Sequence, residues 1–177
     1  MIGVTLLTAA AAASAIVAPA PSSTTTGWHP VSEVWTPVTQ PAVTYPAAKY
    51  CGTFDLSATP VRQAVEAKVL SRWDNGTARQ TVFAGPLIEK STNTASGAST
   101  TIDVGGTAVE TDRADGTIEH YLMLGPVGVG MPIGTSRGLT PGVYRVNGVH
   151  ELDFGTDGTR TMSLTVGSEV NECTALR

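Results

Sequence analysis

The stretch from Pro141 to Phe154 constrains the fold more strongly than any other part of the chain. Pro141-Gly142 is turn chemistry, and the residues after it alternate strictly between two faces. One face is nearly all apolar and consists of Tyr144, Val146, Gly148, His150, Leu152 and Phe154. The other face is mostly polar, as expected for a β-strand that packs one side on a core and exposes the other.

Asn147-Gly148 is also a signal for a tight hairpin. A two-residue turn there would pair Tyr144 with Glu151 and would mix polar and apolar residues on both faces. A continuous strand keeps the faces separate, because a change of register moves every side chain to the opposite side. We therefore predict one long strand with a bulge at Asn147-Gly148, where glycine can adopt a positive φ.

Cys51 and Cys173 are 122 residues apart and bracket nearly all of the patterned sequence. In an oxidising compartment we expect them to form a disulfide that joins the start of the domain to its C-terminal tail. Loop entropy sets an upper figure of roughly 5 kcal/mol for its contribution to stability. The alternative is two unrelated buried thiols.

Composition bounds the class of protein. The chain has 177 residues, 41% of them hydrophobic and 15% charged, which is enough for one domain with a buried core. A net charge of −4 argues against a nucleic-acid partner, because phosphate binding needs clustered Lys and Arg. The 19 glycines, with abundant Thr and Val, favour strands and turns over helices. We predict no cofactor.

The N-terminal run from Ile2 to Ala15 is apolar and has the length of a secretory signal. We predict a signal peptide over residues 1–15, with residue 20 as its alternative end, and a secreted, extracellular protein. No Lys or Arg precedes Lys49, which departs from a normal export signal, and an uncleaved anchor is the alternative. No second hydrophobic segment follows, so no transmembrane helix is expected after signal removal.

Residues 16–49 are rich in Pro, Ser and Thr, which predicts an extended linker. Trp28, Trp35 and Tyr45 are unusual for a linker, since such segments contain few large aromatic residues. Either the segment lies along the domain or it is a docking peptide, and we favour the first.

Residues 50–177 are predicted to form the domain. Cys51 to Leu56 reads as a short strand with Phe54 and Leu56 inward. Thr59 to Trp73 fits a helix or a strand; we favour a strand, followed by a hairpin at Asp74-Asn75-Gly76. Further strands are expected at residues 86–93, 99–104, 107–112, 117–124 and 160–166, with a long Gly- and Pro-rich loop at residues 125–140. The sequence predicts an antiparallel β-sandwich or partly open barrel of roughly 8–9 short strands.

The order of these features resembles a group of uncharacterised secreted proteins of actinobacteria that have a two-cysteine β-sandwich domain. The resemblance covers roughly residues 51–176. Its matching features are Cys51-Gly52-Thr53-Phe54, Asp74-Asn75-Gly76, Gly85-Pro86-Leu87, Asp115-Gly116, Gly148-Val149 and Cys173-Thr174-Ala175-Leu176. It implies export and a two-cysteine staple, and it implies no activity.

No motif predicts a catalytic residue. Gly134-Thr135-Ser136-Arg137-Gly138 matches the nucleophile elbow of hydrolases, but that motif needs a following helix and an acid before the histidine. Here Pro141-Gly142 and a strand follow, and no Asp or Glu lies between Arg137 and His150. Asp112 to Gly116 lacks the alternating oxygen ligands of a calcium loop and is predicted to be a β-turn.

His120 and His150 are a weak candidate pair for a metal site or a pH switch, and we favour the alternative that both are structural histidines and that the chain holds no metal. If their strands are antiparallel neighbours in the matching register, the two rings lie side by side, although no third ligand is evident. Because the sequence predicts export and an all-β fold and offers no catalytic motif, it favours a non-enzymatic extracellular or cell-surface module that binds or supports structure. A component of the cell envelope is the candidate partner. The alternative is a secreted hydrolase with a dispersed site, for which Asp103, Glu119 and Glu151 are candidate acids.

Overall fold

The computed structural model describes residues 27–177. The predicted signal segment, residues 1–15 or 1–20, lies outside the described residues, as does the first part of the predicted linker. The described chain is nearly all β, with a 10-stranded and a 4-stranded sheet and a single four-residue helix. The predicted all-β sandwich is confirmed.

The strands have the following bounds: β1 Trp28–Pro30, β2 Thr36–Val38, β3 Val43–Tyr45, β4 Leu56–Gln63, β5 Val65–Trp73, β6 Ala78–Ala84, β7 Leu87–Asn93, β8 Ser99–Asp103, β9 Thr107–Asp112, β10 Ile118–Leu124, β11 Val127–Met131, β12 Ser136–Arg137, β13 Gly142–Phe154 and β14 Arg160–Asn171. The helix, α1, is Glu172–Ala175. The sequence predicted strands at β5–β10, β13 and β14. Strand β4 lies mostly within the ambiguous stretch from Thr59, and the short strands β1–β3, β11 and β12 are additional.

The larger sheet has the order β1-β5-β6-β9-β10-β13-β14-β12, with β2 also paired to β5 and β11 to β13. The smaller sheet has the order β3-β4-β7-β8. Neighbours are antiparallel throughout except for β12, which is parallel to β14. Residues of both sheets line one space between their facing sides.

Strand β13 is continuous over thirteen residues, as predicted. Its apolar face points inward, with Tyr144, Val146, His150 and Leu152 all buried. The register against β14 shifts between Val149 and His150, next to Gly148, which has a φ of 109°. The bulge predicted near this dipeptide therefore exists, and it lies in the pairing with β14.

The segment at residues 125–140 is not one continuous loop, so this prediction is wrong. It contains β11, which pairs with Val146 to Gly142 at the beginning of β13, and β12, which pairs with the start of β14. Strand β13 is too long for β10 to cover, because β10 reaches only from Val149 to Asp153. Strand β11, in the glycine-rich segment, pairs with the part of β13 that β10 does not reach. The local turn residues do not predict this pairing.

Two further segments differ from their predicted bounds. The strand expected over residues 51–56 begins only at Leu56, although Phe54 and Leu56 are both buried as predicted. The last strand extends beyond residue 166 to Asn171, because β13 offers a partner along its whole length. Cys173, expected in an irregular tail, lies in α1, which Asn171 caps by accepting a hydrogen bond from the Cys173 amide at 3.0 Å.

The ambiguous stretch Thr59 to Trp73 is strand and not helix. It is broken at Ala64, however, so that β4 belongs to the smaller sheet and β5 to the larger. The amide of Ala64 donates to the Pro86 carbonyl at 2.9 Å, which holds the crossing between the sheets. Strands β5 and β6 form the predicted hairpin across Asp74-Asn75-Gly76.

The last part of the predicted linker lies along the domain, and two of its three large aromatic residues contact the domain. Strands β1 and β2 pair with β5, and β3 pairs with β4. The ring of Trp28 lies 4.4 Å from the guanidinium carbon of Arg79, a cation–π contact that fastens β1 to the sheet. Tyr45 packs against the core, and Trp35 is exposed.

Two clusters of buried residues form the core. One surrounds the Cys51–Cys173 disulfide, which is therefore confirmed, and includes Phe54, Leu56 and Val143. The other lies against the inner face of β10, β11 and β13 and includes Met123, Met131 and Leu152. Within residues 27–177 no helix has the length and apolar character needed to cross a membrane.

Candidate functional site

A cavity of about 480 Å³ lies between the two sheets. Its wall is mostly apolar, with Phe83, Met123 and Leu152 from the larger sheet and Leu87 and Val104 from the smaller sheet and its edge. The cavity is partly open to solvent. The volume falls in the range of small-molecule binding sites.

Small residues keep this space open. Ala108 on β9 stands between Phe83 and Met123 in the cross-strand register, where a larger side chain would enter the cavity. Gly128 and Gly130 on β11 contribute bare backbone to the wall. A Cβ atom on Gly130 would stand 2.8 Å from Tyr50 Cε1, so the glycine is needed for the tyrosine ring to pack on β11.

Glu89 brings a carboxylate into the cavity from the smaller sheet. Strand β7 alternates so that Glu89 shares a face with Leu87 and with the buried residues Ser91 and Asn93. Burial raises the pKa of Glu89 above its usual value. This side chain is the only acid among the cavity-lining residues that the structure describes.

Tyr45 reaches the same space from β3. Its ring meets the ring of Tyr50 edge-on, with centroids 5.1 Å apart and planes at 87°. Burial, reinforced by the nearby Glu89 carboxylate, raises the pKa of Tyr45 to about 12. The phenol therefore stays protonated at physiological pH and can donate a hydrogen bond.

Tyr121 and Arg160 contribute the polar groups of the larger sheet. The Tyr121 hydroxyl donates to Glu110 Oε2, and its ring meets Phe154 edge-on at 5.2 Å. Arg160 donates to the Gly130 carbonyl and holds its guanidinium carbon 5.2 Å from the Phe154 ring centroid. These contacts link β9, β10, β13, β14 and β11 into one ordered wall.

The chemistry of these groups is that of a binding site. Burial and the hydrogen bond to Glu110 raise the pKa of Tyr121, so this phenol also remains protonated. A tyrosine activated as a nucleophile or base needs a lowered pKa instead. Tyr45 is thus suited to donating a hydrogen bond to a bound molecule, whereas the Tyr121 hydroxyl already donates to Glu110 and orders the wall.

Asp112, at the end of β9, makes folding stability depend on pH. Burial, with a smaller contribution from Glu110, raises the pKa of Asp112 from 3.8 to about 6. The folded state therefore holds the proton more tightly than the unfolded state, and stability is lost as the pH rises from about 4 to 6. We expect Asp112→Asn to raise the free energy of unfolding at pH 7 by about 1–3 kcal/mol and to change it little at pH 4.

Urea unfolding of both proteins between pH 4 and pH 8 measures this difference. Asp115→Asn is the matched control, because hydrogen bonds from Thr117 lower the pKa of Asp115 and its pH dependence has the opposite sign. A gap between wild type and Asp112→Asn that is equal at pH 4 and pH 7 would show that Asp112 does not titrate in this range.

The register assumed for the candidate pair of histidines does not occur. His120 lies opposite Asp153, and His150 lies opposite Met123, so the register differs from the assumed one. The two rings are on opposite faces of the sheet, since residues 150 and 153 of one strand point in opposite directions. Residues 27–177 contain no group of three His, Cys, Asp or Glu side chains placed to hold a metal.

Each histidine has a carboxylate neighbour instead. His120 Nδ1 is 2.9 Å from Asp153 Oδ1 on the outer face, and the fully buried His150 has its Nε2 3.3 Å from Glu169 Oε1. Both pairs join neighbouring strands. These contacts connect strands within the larger sheet, and neither histidine lines the cavity.

The other candidates from the sequence lie apart from one another. Asp103, Glu119 and Glu151 are all exposed, and none of them lines the cavity. The Ser136 hydroxyl donates to the Pro132 carbonyl at 2.6 Å, and a strand residue rather than a helix follows it. Asp115-Gly116 forms a turn, with Asp115 accepting hydrogen bonds from Thr117.

Sequence reasoning missed the groups that do converge, which are Tyr45, Glu89, Glu110, Tyr121 and Arg160. For Glu89 a local signal exists, because it has the same parity as Leu87 in an alternating strand. For Tyr45 the signal was its presence in an otherwise polar segment. For Arg160 no local signal exists, since its direction depends on pairing with Phe154 across β13 and β14.

Searches of protein-family models, of curated proteins and of solved structures found no match for this chain. Any statement about its activity therefore rests on its own residues. The chain forms a disulfide-linked all-β domain with a mostly apolar cavity between its sheets.

Proposed function

We propose that this chain is a secreted, non-enzymatic binding module that holds a small, mostly apolar molecule between its two sheets. The cavity carries this proposal: its volume is about 480 Å³, its walls are mostly apolar, and a few polar groups converge on it. Such a combination is typical of small-molecule sites, where apolar contact supplies affinity and a few polar groups set orientation.

The retention of the cavity supports binding over a purely structural role. A cavity of this size forfeits packing contacts along its apolar wall, although it is partly open to solvent. Ala108 occupies a wall position that a larger side chain could have filled, whereas Gly130 is small because the Tyr50 ring packs against it. A ligand that replaces the missing contacts would offset this loss of packing, which would explain why a small residue stands at this position.

Extracellular placement is supported by the disulfide, since such bonds persist in oxidising compartments. The apolar N-terminal run and the resemblance to secreted actinobacterial proteins point the same way. We place the module outside the cell, at or near the cell envelope. The ligand is then a small molecule of that environment or an apolar part of an envelope component.

The proposal is tested with N-phenyl-1-naphthylamine, an uncharged fluorescent probe of apolar cavities. We expect saturable binding of one probe per chain, and we expect Ala108→Phe to abolish it, because the ring would fill the space between Phe83 and Met123. Fluorescence titration measures the affinity, and the free energy of unfolding of each variant verifies its fold.

Val109→Phe is the matched control, because Val109 is the next residue of β9 and points to the opposite face. It should bind the probe as the wild type does. Equal binding by the wild type and by Ala108→Phe would place the probe elsewhere and would contradict the proposed function.

A further inference from the structure

We infer that the ligand of this cavity carries a protonated amine, which pairs with the Glu89 carboxylate while its apolar part fills the space between the sheets. The inference rests on the proposed function and specifies the chemical class of the ligand as an apolar cation. It follows from three features of the cavity wall.

The first feature is that Glu89 lacks a partner. On β7 it stands opposite Pro60 on one side and Ile102 on the other, neither of which can pair with a charge. Within residues 27–177 its carboxylate takes part in no ion pair. A charge that is partly removed from water and has no partner is destabilised, and this partial burial raises the pKa of Glu89. A ligand ammonium would supply the missing counter-charge.

The second feature is the state of Arg160, the other charged residue among those that line the cavity in the described chain. Its guanidinium already donates to the Gly130 carbonyl and lies over the Phe154 ring. These two contacts hold the side chain against the wall and satisfy part of its hydrogen-bonding capacity. Of the two charged residues in this wall, Glu89 is therefore the one that lacks a counter-charge or other polar contact within the described chain.

The third feature is the concentration of aromatic rings. Tyr45, Tyr50, Phe83, Tyr121 and Phe154 all line the cavity. The face of an aromatic ring attracts a cation and gains most when the site is shielded from water. The wall around Glu89 thus favours a cation over an anion or a neutral head group.

Three probes with the same tail separate the possibilities: decylamine, decanol and decanoate, titrated into the full chain by calorimetry. We expect decylamine to bind most tightly. We expect Glu89→Gln to weaken decylamine by roughly ten- to a hundredfold, the range for a hydrogen bond to a charged group, and to leave decanol unchanged. Glu151→Gln, which removes an exposed carboxylate from β13, is the control for net charge and should leave all three affinities unchanged.

The outcomes distinguish this inference from the proposed function. Equal affinity for decylamine and decanol, or tightest binding of decanoate, overturns the amine inference and leaves the binding cavity in place. A decylamine affinity that Glu89→Gln and Glu151→Gln reduce equally also overturns it. Failure of all three probes to bind, with Ala108→Phe indistinguishable from the wild type, overturns both.

Discussion

Replacing both cysteines, as Cys51→Ala with Cys173→Ala, is expected to lower the free energy of unfolding by roughly 3–5 kcal/mol. The disulfide closes a loop of 122 residues, and a cross-link across so long a loop removes much of the entropy of the unfolded chain. Because a small domain has a total stability of only about 5–15 kcal/mol, this is the largest effect that we expect from any local change. Urea unfolding of the oxidised wild type and of the double variant measures it.

The wild type treated with a reductant is the control, because it loses the cross-link and keeps both sulfur atoms in the core. It should be destabilised by nearly as much as the double variant. The cluster around Cys51 and Cys173 also contains Tyr50, Phe54 and Leu176. A loss below about 1 kcal/mol in both proteins would mean that this packing alone holds the ends of the domain together.

Gly148→Ala and Gly167→Ala are each expected to lower the free energy of unfolding by about 2–5 kcal/mol. The two glycines face each other across β13 and β14 at the bulge, with φ angles of 109° and 145°. An alanine at either position is strained by about 1–2 kcal/mol. Its Cβ would in addition overlap a backbone carbonyl oxygen, that of Val166 or of Asn147, which adds about 1–3 kcal/mol.

Gly158→Ala separates the two contributions. Gly158 also has a positive φ, 83°, but a Cβ atom there meets nothing within 4 Å. It should therefore lose only the backbone strain, about 1–2 kcal/mol by chemical denaturation. Equal losses for Gly148→Ala and Gly158→Ala would show that β13 and β14 separate enough to accept the methyl group, and the close approach would then not be essential.

Much of the strand pattern was predictable, because it depends on local chemistry. The alternation after Pro141-Gly142 identified β13 and its buried face, and Asp74-Asn75-Gly76 identified the β5–β6 hairpin. Strand β9 was predicted with its observed bounds, Thr107–Asp112. In each case the side-chain period of a strand and the backbone requirement of a turn are properties of a few consecutive residues.

Pairing across the sheets was not predictable in the same way. The expected His120–His150 contact required one particular register between β10 and β13, and the observed register is different. Strand β11 lies in a segment with the composition of a loop and exists because β13 offers it an unpaired edge. Backbone hydrogen bonding between distant segments decided both, and no single segment encodes it.

The sequence by itself determined the class of fold and the direction of the side chains along each longer strand, since these follow from periodicity and turn residues. It predicted the Cys51–Cys173 disulfide but left two separate thiols as the alternative, and the structure shows the bond. Tertiary structure decided that Ala64 divides two sheets and that Tyr45, Glu89 and Arg160 meet in one cavity. These three residues come from β3, β7 and β14, which are distant in sequence. A cavity is the space that distant elements leave between them, so its position and polar lining follow from the packing of the whole chain.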